Sequence, residues 1–249
     1  MVELLENEKI DDLEYKGLKI IQNKDGFCFG IDSILLTDFA KEIKEQSTVI
    51  DLGTGTGIIG ILLSKKVNPS KVIGIEVQKE VYEMAKRSIR LNNLEDTFEV
   101  INSNIKDLQD KLQMSSFDAV VTNPPYKKLG TGITNQNSKK LISKHEIEAS
   151  LEDFIKVSNK LLKDRGTLYM VHRPDRLVDI IELLRKYKLE PKRIKFVYPT
   201  EDRESNLVLI KSIKNAKPFL KIEEPLYVYN KNGEYTDKIM NIYEKGAKK

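Results

Sequence analysis

The stretch Asp51-Leu52-Gly53-Thr54-Gly55-Thr56-Gly57 decides the fold of this chain. It lies between an apolar run, 49–52, that predicts a strand and an apolar segment, 58–66, that predicts a helix. Glycines let the backbone turn sharply and let a ligand come closer than a Cβ atom would allow. The free N–H groups at the start of the following helix would face that ligand. A glycine loop between a strand and a helix predicts a nucleotide-type site at the carboxyl edge of a parallel sheet, and a tight turn without a ligand is the alternative.

Outward from this loop, short apolar runs alternate with amphipathic segments. The runs predict strands at 49–52, 72–76, 98–101, 117–122, 166–171, 194–197 and 207–211. The segments between them predict helices at 58–66, 79–92, 147–162 and 174–188. Continuous apolar strands separated by helices are typical of a parallel sheet covered on both faces. Because no helix separates the last two strands, we expect them to pair antiparallel. The predicted fold is α/β, with a seven-stranded, mostly parallel sheet.

The two ends of the chain differ from this alternation. Residues 17–22 and 26–30 are apolar runs around the turn residues 23–25, which predicts a β-hairpin, and residues 32–43 carry a helical stripe. We therefore expect an N-terminal hairpin and helix extension at 1–46 and a sheet domain at 47–213. Residues 214–249 are predicted to form an appendage that packs back on the domain, with an apolar run at 226–229 and a helix at 236–243. Residues 125–143 have little periodicity, which indicates a functional or disordered loop.

The composition excludes several classes of protein. One cysteine, Cys28, excludes a disulfide framework and a cysteine-based zinc cluster. Two histidines leave little for a histidine-rich site, so we expect no metal. The acidic start of the chain does not resemble a signal peptide, and no run of 18 apolar residues predicts a membrane span. We expect a cytoplasmic protein, and the sequence leaves a monomer and a weak dimer equally open.

The residues around the loop favour one ligand. The spacing G-x-G-x-G differs from the G-x-G-x-x-G fingerprint of dinucleotide sites. Glu76 comes nineteen residues after Gly57, at the end of the next predicted strand, where a carboxylate suits the two hydroxyls of a ribose. Asp51 would repel a pyrophosphate and suits a cation. These charges favour S-adenosylmethionine, a cationic ligand without phosphate, over NAD.

A second motif, Asn123-Pro124-Pro125-Tyr126, follows the predicted strand 117–122. An exocyclic amino nitrogen conjugated to a ring is a poor nucleophile, because its lone pair is delocalised. Two acceptors, the Asn123 side-chain oxygen and the Pro124 main-chain oxygen, would bind its two N–H groups and free that lone pair. The prolines stiffen the backbone and remove N–H donors, and Tyr126 can stack on a flat base. The alternative is a proline turn that closes a strand.

Both motifs resemble those of a known family. Asp51-x-Gly53-x-Gly55-x-Gly57 together with Glu76 looks like motifs I and II of the class I S-adenosylmethionine-dependent methyltransferases, whose Rossmann-like sheet also ends in an antiparallel strand. Asn123-Pro124-Pro125-Tyr126 resembles motif IV of the amino-methyltransferases, which act on adenine N6, cytosine N4, guanine N2 or glutamine N5. The resemblance implies that these four residues are catalytic, and tyrosine in the fourth position favours adenine or glutamine.

The flanking segments narrow the resemblance. Residues 10–13, 19–22 and 27–36 are similar to the start of the bacterial tRNA adenine-N6 methyltransferases, which modify adenine 37 of valine tRNA. This implies a tRNA partner and an adenine N6 acceptor. Glutamine methyltransferases carry a longer helical domain before motif I, and DNA adenine methyltransferases usually add a recognition domain that is not visible here. A release-factor glutamine, a ribosomal RNA base and a non-catalytic RNA assembly factor stay open as alternatives.

The resemblance also implies a set of binding residues. The cofactor would contact Phe29, Gly30, Asp32, Asp51, Gly53, Thr54, Gly55, Gly57, Glu76, Val77, Asn104, Ile105 and Asn123. Phe29 fits a hairpin core equally well. Asn104 stands where many relatives carry an Asp that contacts the adenine of the cofactor. RNA phosphates would meet a basic group near the second motif, made of Lys127, Lys128, Lys139, Lys140, Lys144 and His145. A solvated face is the alternative for those lysines.

Overall fold

The structure is a computed structural model that describes residues 2–24, 30–126 and 149–243. Its N-terminal part is a two-stranded antiparallel sheet of β1 (Glu8–Asp12) and β2 (Lys19–Asn23). Strand β2 pairs with the segment before it, which was not predicted, and the predicted hairpin of 17–22 with 26–30 stays a prediction. The expected partner, 26–30, lies almost entirely outside the described residues. The turn that joins β1 to β2 buries Leu13 and Leu18 against the core.

The main sheet has nine strands among the described residues and confirms the predicted α/β fold. Its strands are β3 (Thr48–Leu52), β4 (Lys71–Glu76), β5 (Phe98–Asn102), β6 (Phe117–Thr122), β7 (Leu162–His172), β8 (Leu189–Tyr198), β9 (Leu207–Lys214), β10 (Lys221–Ile222) and β11 (Leu226–Tyr227). They lie in the order β10-β8-β9-β7-β6-β3-β4-β5, and β11 also pairs with β8. Strand β9 is antiparallel to both of its neighbours, as expected, and the other pairs are parallel. Two short strands thus extend the seven predicted ones.

Six α-helices are described, and five of them cover the two faces of the sheet. They are α1 (Ile31–Phe39), α2 (Ile58–Lys66), α3 (Lys79–Leu91), α4 (Leu151–Leu161), α5 (Leu177–Lys186) and α6 (Asp237–Ile242). Helix α1 ends at Phe39, four residues before its predicted end, and the buried Ile43 packs from the following turn. Helix α5 begins only after a 3₁₀ turn, Pro174–Arg176. The start of α4 is fixed by a capping box between Ser150 and Asp153.

The core has two layers because the sheet is buried on both faces. Val49 and Val121 face a cluster with α1, α2 and α3, whereas Ile50 and Val120 face a cluster with α4 and α5. The four side chains are at most 1% exposed. Burial of each such side chain stabilises the fold by roughly 1.5–3 kcal/mol. The N-terminal segment shares the first cluster, so its side chains belong to the same core as the sheet.

The C-terminal segment packs on the α1 face of the sheet. Val228 and Ile239 are buried in the cluster that includes α1. The ring of Tyr235 stacks between those of Tyr229 and Tyr243, with ring centroids 5.3 Å and 5.7 Å apart. These contacts hold α6 against the domain, while the domain boundaries at 46 and 213 stay predictions.

Two glycines, Gly60 and Gly74, allow close packing around the glycine loop. A Cβ atom on Gly60, in α2, would lie 2.2 Å from a ring carbon of Phe98. One on Gly74, in β4, would lie 2.8 Å from the side chain of Thr54. Phe98 is 1% exposed, so its ring belongs to the packed core. Because these two positions lack a side chain, α2 packs closely against Phe98 of β5, and the side chain of Thr54 packs on β4.

We predict that Gly60→Ala destabilises the protein, although alanine is the better helix former by about 1 kcal/mol. The added methyl group overlaps the buried Phe98 ring, and overpacking of this kind costs about 1–3 kcal/mol. Chemical denaturation of the variant should show a lower free energy of unfolding. Lys65→Ala, at an exposed position of the same helix, is the matched control and should change it by less than about 0.5 kcal/mol. A Gly60→Ala protein as stable as wild type would contradict the close packing.

Candidate active site

The glycine loop turns directly after β3. Gly53, Gly55 and Gly57 have φ angles of 73°, 57° and 92°, in the left-handed region that favours glycine. The N–H groups of Gly53 and Thr54 both donate to the carbonyl oxygen of Ile75, at 3.0 and 2.9 Å. Gly57 is the N-cap of α2. A Cβ atom on Gly55 would meet nothing within 4 Å, so open space borders the loop at this point.

Asp51 lies beneath the loop and is fully buried. Its Oδ2 accepts a hydrogen bond of 2.6 Å from the Thr54 hydroxyl, whereas Oδ1 has no partner among the described residues. Burial raises the pKa of Asp51 to about 7, the Thr54 hydrogen bond lowers it, and the nearby charge of Glu76 raises it further. Asp51 therefore shapes the loop through Thr54, and its second oxygen is buried without a hydrogen-bond partner among the described residues.

Glu76 joins the glycine loop to the segment that follows β4. Its Oε2 accepts from the N–H of Gly55 at 3.0 Å, and its Oε1 accepts from the N–H of Gln78 at 2.9 Å. The side chain is thus fixed at the rim of the loop, beside Val77. This is the position that the sequence predicted for a ribose-binding carboxylate.

Asn102 is a site residue that the sequence reasoning missed. Its Nδ2 donates to the carbonyl oxygens of Glu76 and Val77, at 2.8 and 3.0 Å. The bonds tie the end of β5 to the end of β4 and hold Glu76 in place. In the sequence, Asn102 could have been recognised because it is a polar residue at the end of an apolar strand.

Asn104 and Ile105 lie just beyond Asn102. Asn104 is the N-cap of a 3₁₀ helix, Ile105–Asp110, and its side chain accepts from the N–H of Lys106 at 3.0 Å. Ile105 is 6% exposed and packs in the α4 and α5 cluster. The Asn at this position therefore has a capping role, which an Asp would fill equally well.

The second motif emerges beside the glycine loop. Strands β3 and β6 are parallel neighbours, with Leu52 level with Thr122, so Gly53 and Asn123 begin their loops at the same height. The Thr122 hydroxyl donates to the carbonyl oxygen of Leu52 at 2.8 Å and fixes this register. Residues seventy positions apart are thereby brought together, as both motifs require.

Tyr126 is wedged between α1 and the end of β7. Its hydroxyl donates to Oδ2 of Asp32 at 2.6 Å, and its ring lies 5.2 Å from the ring of His172, at an interplanar angle of 56°. Burial raises the pKa of Tyr126 above its usual value, and the charge of Asp32 adds to this effect. The phenol therefore stays protonated and keeps donating to Asp32. The sequence placed Asp32 only near the cofactor and did not link it to Tyr126.

His172 is fully buried at the carboxyl end of β7. Its Nδ1 accepts from the N–H of Arg173 at 2.8 Å, which leaves the proton of the neutral ring on Nε2. Nε2 has no partner among the residues that the structure describes. Burial lowers the pKa of His172 to about 4, and the charge of Arg176 lowers it further. The imidazole is thus neutral and forms one side of the site, next to Tyr126.

The other expected contacts fall into two groups. Gly30 is the N-cap of α1, and a Cβ atom there would lie 3.2 Å from Oδ1 of Asp32, so the Asp32 side chain folds back over Gly30. The second group lies outside the described residues and comprises Phe29, Lys127, Lys128, Lys139, Lys140, Lys144 and His145.

The described residues offer neither a metal cluster nor a membrane span. No group of three or more His, Cys, Asp or Glu side chains there could hold a metal ion. In the same residues, no helix has the length and apolar character needed to cross a membrane.

The chain is similar in sequence to known proteins. Over 204 residues the chain is 27% identical to a tRNA1(Val) (adenine(37)-N6)-methyltransferase of Porphyromonas gingivalis, covering 80% of this chain and 79% of that protein. A protein of the same name from Flavobacterium johnsoniae is 20% identical over 235 residues, which cover 93% of this chain and 99% of that protein.

Solved structures show the same fold. A predicted O-methyltransferase of Agrobacterium tumefaciens has a TM-score of 0.69 at 20% identity, with 87% of this chain and 97% of that chain covered. The TYW2 protein of M. jannaschii, in complex with AdoMet, has a TM-score of 0.58 at 16% identity, with 86% and 88% covered.

The sequence model of one family spans both motifs. The family is described as Methyltransferase small domain, and its model matches residues 29–188. This range runs from the start of α1 to the end of α5 and includes the glycine loop, Glu76 and Asn123 to Tyr126. Since it covers more than half of the chain, the protein belongs to the methyltransferase small domain family.

Proposed function

We propose that this protein transfers a methyl group from S-adenosylmethionine to the N6 amino group of an adenine in tRNA, at adenine 37 of valine tRNA. One observation carries the proposal. The glycine loop and Asn123-Pro124-Pro125-Tyr126 begin at the same height, at the ends of two neighbouring parallel strands. The names of the relatives from Porphyromonas gingivalis and Flavobacterium johnsoniae support the same substrate. A tRNA substrate implies a cytoplasmic location.

The open side of the loop and the carboxyl groups beside it support S-adenosylmethionine as the ligand. Open space borders Gly55, Asp51 has an oxygen without a partner among the described residues, and Glu76 stands at the rim. An acidic site suits a ligand that carries an ammonium and a sulfonium group and lacks phosphate. When bound, the cofactor supplies an electrophilic methyl group.

Several residues would hold the cofactor. In this proposal the backbone from Gly53 to Gly57 faces it, Glu76 binds the ribose hydroxyls, and Asn104 and Ile105 flank its adenine. Phe29, Gly30, Thr54 and Val77 complete the contacts that the family resemblance implies. Asn102 contributes indirectly, because it fixes the backbone of Glu76 and Val77.

The second motif would bind the acceptor base. The Asn123 side-chain oxygen and the Pro124 carbonyl oxygen accept the two N–H groups of the adenine amino group. Tyr126 supports the ring of the base by stacking. Extrusion of the base costs a few kcal/mol, and less in a loop than in a duplex. Correct orientation of the two reactants can lower a barrier by about 7–11 kcal/mol, so these residues can act without a strong general base.

Basic residues near the motif would contact the RNA backbone. Arg173 is exposed, follows His172 directly and lies close enough to Tyr126 to lower its pKa. Lys127, Lys128, Lys139, Lys140, Lys144 and His145 are the further contacts proposed from the sequence. By contrast, the basic residues around β8 form ion pairs, such as Arg185 with Glu190 and Lys195 with Glu223. Phosphate contacts are therefore expected on the side of Arg173.

We predict that Asn123→Ala abolishes methyl transfer and leaves S-adenosylmethionine binding intact. The variant loses one of the two acceptors that orient the amino group, and misplaced reactants typically react about 100-fold more slowly. A radiolabelled-methyl assay on purified tRNA measures transfer, and calorimetry measures the Kd of the cofactor. Asn232→Ala, at an exposed turn, is the matched control. Full activity of Asn123→Ala would contradict the proposed function.

The same assay separates the candidate substrates. Wild-type protein is offered tRNA, ribosomal RNA and a release factor, and the proposal requires label in tRNA. Mass spectrometry of tRNA nucleosides from a deletion strain should show loss of N6-methyladenosine. Label in the release factor would assign a glutamine methyltransferase, and label in ribosomal RNA would assign a different base. RNA binding without any methylation would point to an assembly factor.

We predict that Glu76→Gln weakens cofactor binding and spares the rate at saturating cofactor. The amide keeps the size of the side chain but loses the charge that suits the ribose hydroxyls, and a hydrogen bond to a charged group contributes about 1.5–3 kcal/mol. The Kd of S-adenosylmethionine should rise about tenfold or more. Glu99→Gln, on an exposed side chain of β5, is the control. An unchanged Kd for Glu76→Gln would remove Glu76 from the cofactor site.

A further inference from the structure

Tyr126 is held in the described structure by two side chains from distant parts of the chain. Asp32 lies 94 positions before it and accepts the hydrogen bond of its hydroxyl at 2.6 Å. His172 lies on β7 and packs against its ring. A tyrosine that stacks on a base must present its ring at a fixed tilt, since a small error in position is costly to the rate. The partners of Tyr126 are therefore candidates for roles in the reaction.

Asp32 sits on a rigid support. It lies in the first turn of α1, and this helix is anchored by Ile34, Leu35, Leu36 and Phe39, which are at most 5% exposed. The dipole of a helix favours a negative charge in its first turn. A hydrogen bond to a charged acceptor is shorter and stronger than one between neutral groups, and the 2.6 Å distance fits such a bond. Asp32 can thus hold the phenol firmly.

His172 closes the other side of the ring. It is fully buried, and its Nδ1 is bonded to the backbone of Arg173, so the imidazole cannot turn without breaking that bond. The orientation of the Tyr126 ring is therefore restricted by the His172 ring on one side and by the hydrogen bond from its hydroxyl to Asp32.

We propose that Asp32 is a positioning residue for methyl transfer, acting through the hydroxyl of Tyr126 rather than as a ligand of the cofactor. The inference rests on the proposed function, in which Tyr126 supports the acceptor base. It gives the N-terminal segment a part in the reaction, because α1 carries the group that sets the tilt of Tyr126. It also differs from the family resemblance, which placed Asp32 at the cofactor.

A double-mutant cycle tests this assignment on the full-length protein. Asp32→Ala, Tyr126→Phe and the double variant are compared with wild type under single-turnover conditions with saturating S-adenosylmethionine. Each single variant should lower the rate about 10–100-fold, because the base loses its alignment. The double variant should be no slower than Tyr126→Phe, because Tyr126→Phe already removes the bond to Asp32. Losses that multiply in the double variant would overturn the proposal.

Cofactor binding separates the two roles of Asp32. Calorimetry should give the same Kd of S-adenosylmethionine for wild type, Asp32→Ala and Tyr126→Phe. A Kd that rises in Asp32→Ala and not in Tyr126→Phe would make Asp32 a cofactor ligand and overturn the proposal. Asp32→Asn keeps an oxygen acceptor within reach of the phenol, and its rate should lie closer to wild type than that of Asp32→Ala.

Two controls keep the result interpretable. Asp38→Ala removes another acidic residue of α1, whose carboxyl group contacts Lys41 at 3.2 Å on the surface, and it should leave the rate unchanged. If Asp32→Ala does not fold, Asp32→Ser replaces it, because serine suits a helix start and is too short to reach the phenol.

The acceptor used is whichever one the wild-type protein methylates. If that acceptor is a release factor or ribosomal RNA, the proposed tRNA function fails, while the cycle still decides whether Asp32 acts through Tyr126.

Discussion

The parallel pairing of β3 with β4 and with β6 is the constraint on which the site depends. Leu52 lies level with Ile75 on one side and with Thr122 on the other. The glycine loop, Glu76 and Asn123 therefore leave the sheet at one edge and at one height. A slip of one residue in this register would turn every side chain of β3 to the opposite face. Both faces are buried, so the packing of two helical layers enforces the register.

Local hydrogen bonds then convert this register into a shaped site. The carbonyl oxygen of Ile75 accepts from two N–H groups of the glycine loop, and Glu76 accepts from a third at Gly55. Asn102 holds the backbone beneath Glu76. The loop is thus already formed by the protein itself. Burial and the nearby charge of Glu76 raise the pKa of Asp51 to about 7, so two carboxyl groups lie close together at this loop.

Much of this arrangement was accessible from the sequence because it is local. The bounds of α2 and β6 agree with the apolar runs 58–66 and 117–122, and the loop residues stand next to the strands that place them. The pairing of β2 with β1 was not predicted, because β1 consists mainly of charged residues and has no apolar run that would indicate a strand. The contacts of Tyr126 with Asp32 and His172 were hidden because they join segments that only the folded sheet brings together.

The N-terminal segment contributes side chains to the core beneath the sheet. The pattern separates residues 1–46 from the sheet domain, yet Leu18 and Leu35 share one core cluster with Val49 and Val121. A helix anchored in that core carries Asp32 to the edge where β3 and β6 end. Side chains from α1, β6 and β7 then meet around the ring of Tyr126. Because a shared core fixes all three supports, the tilt of that ring is set by the packing of the whole domain and not by the motif that contains it.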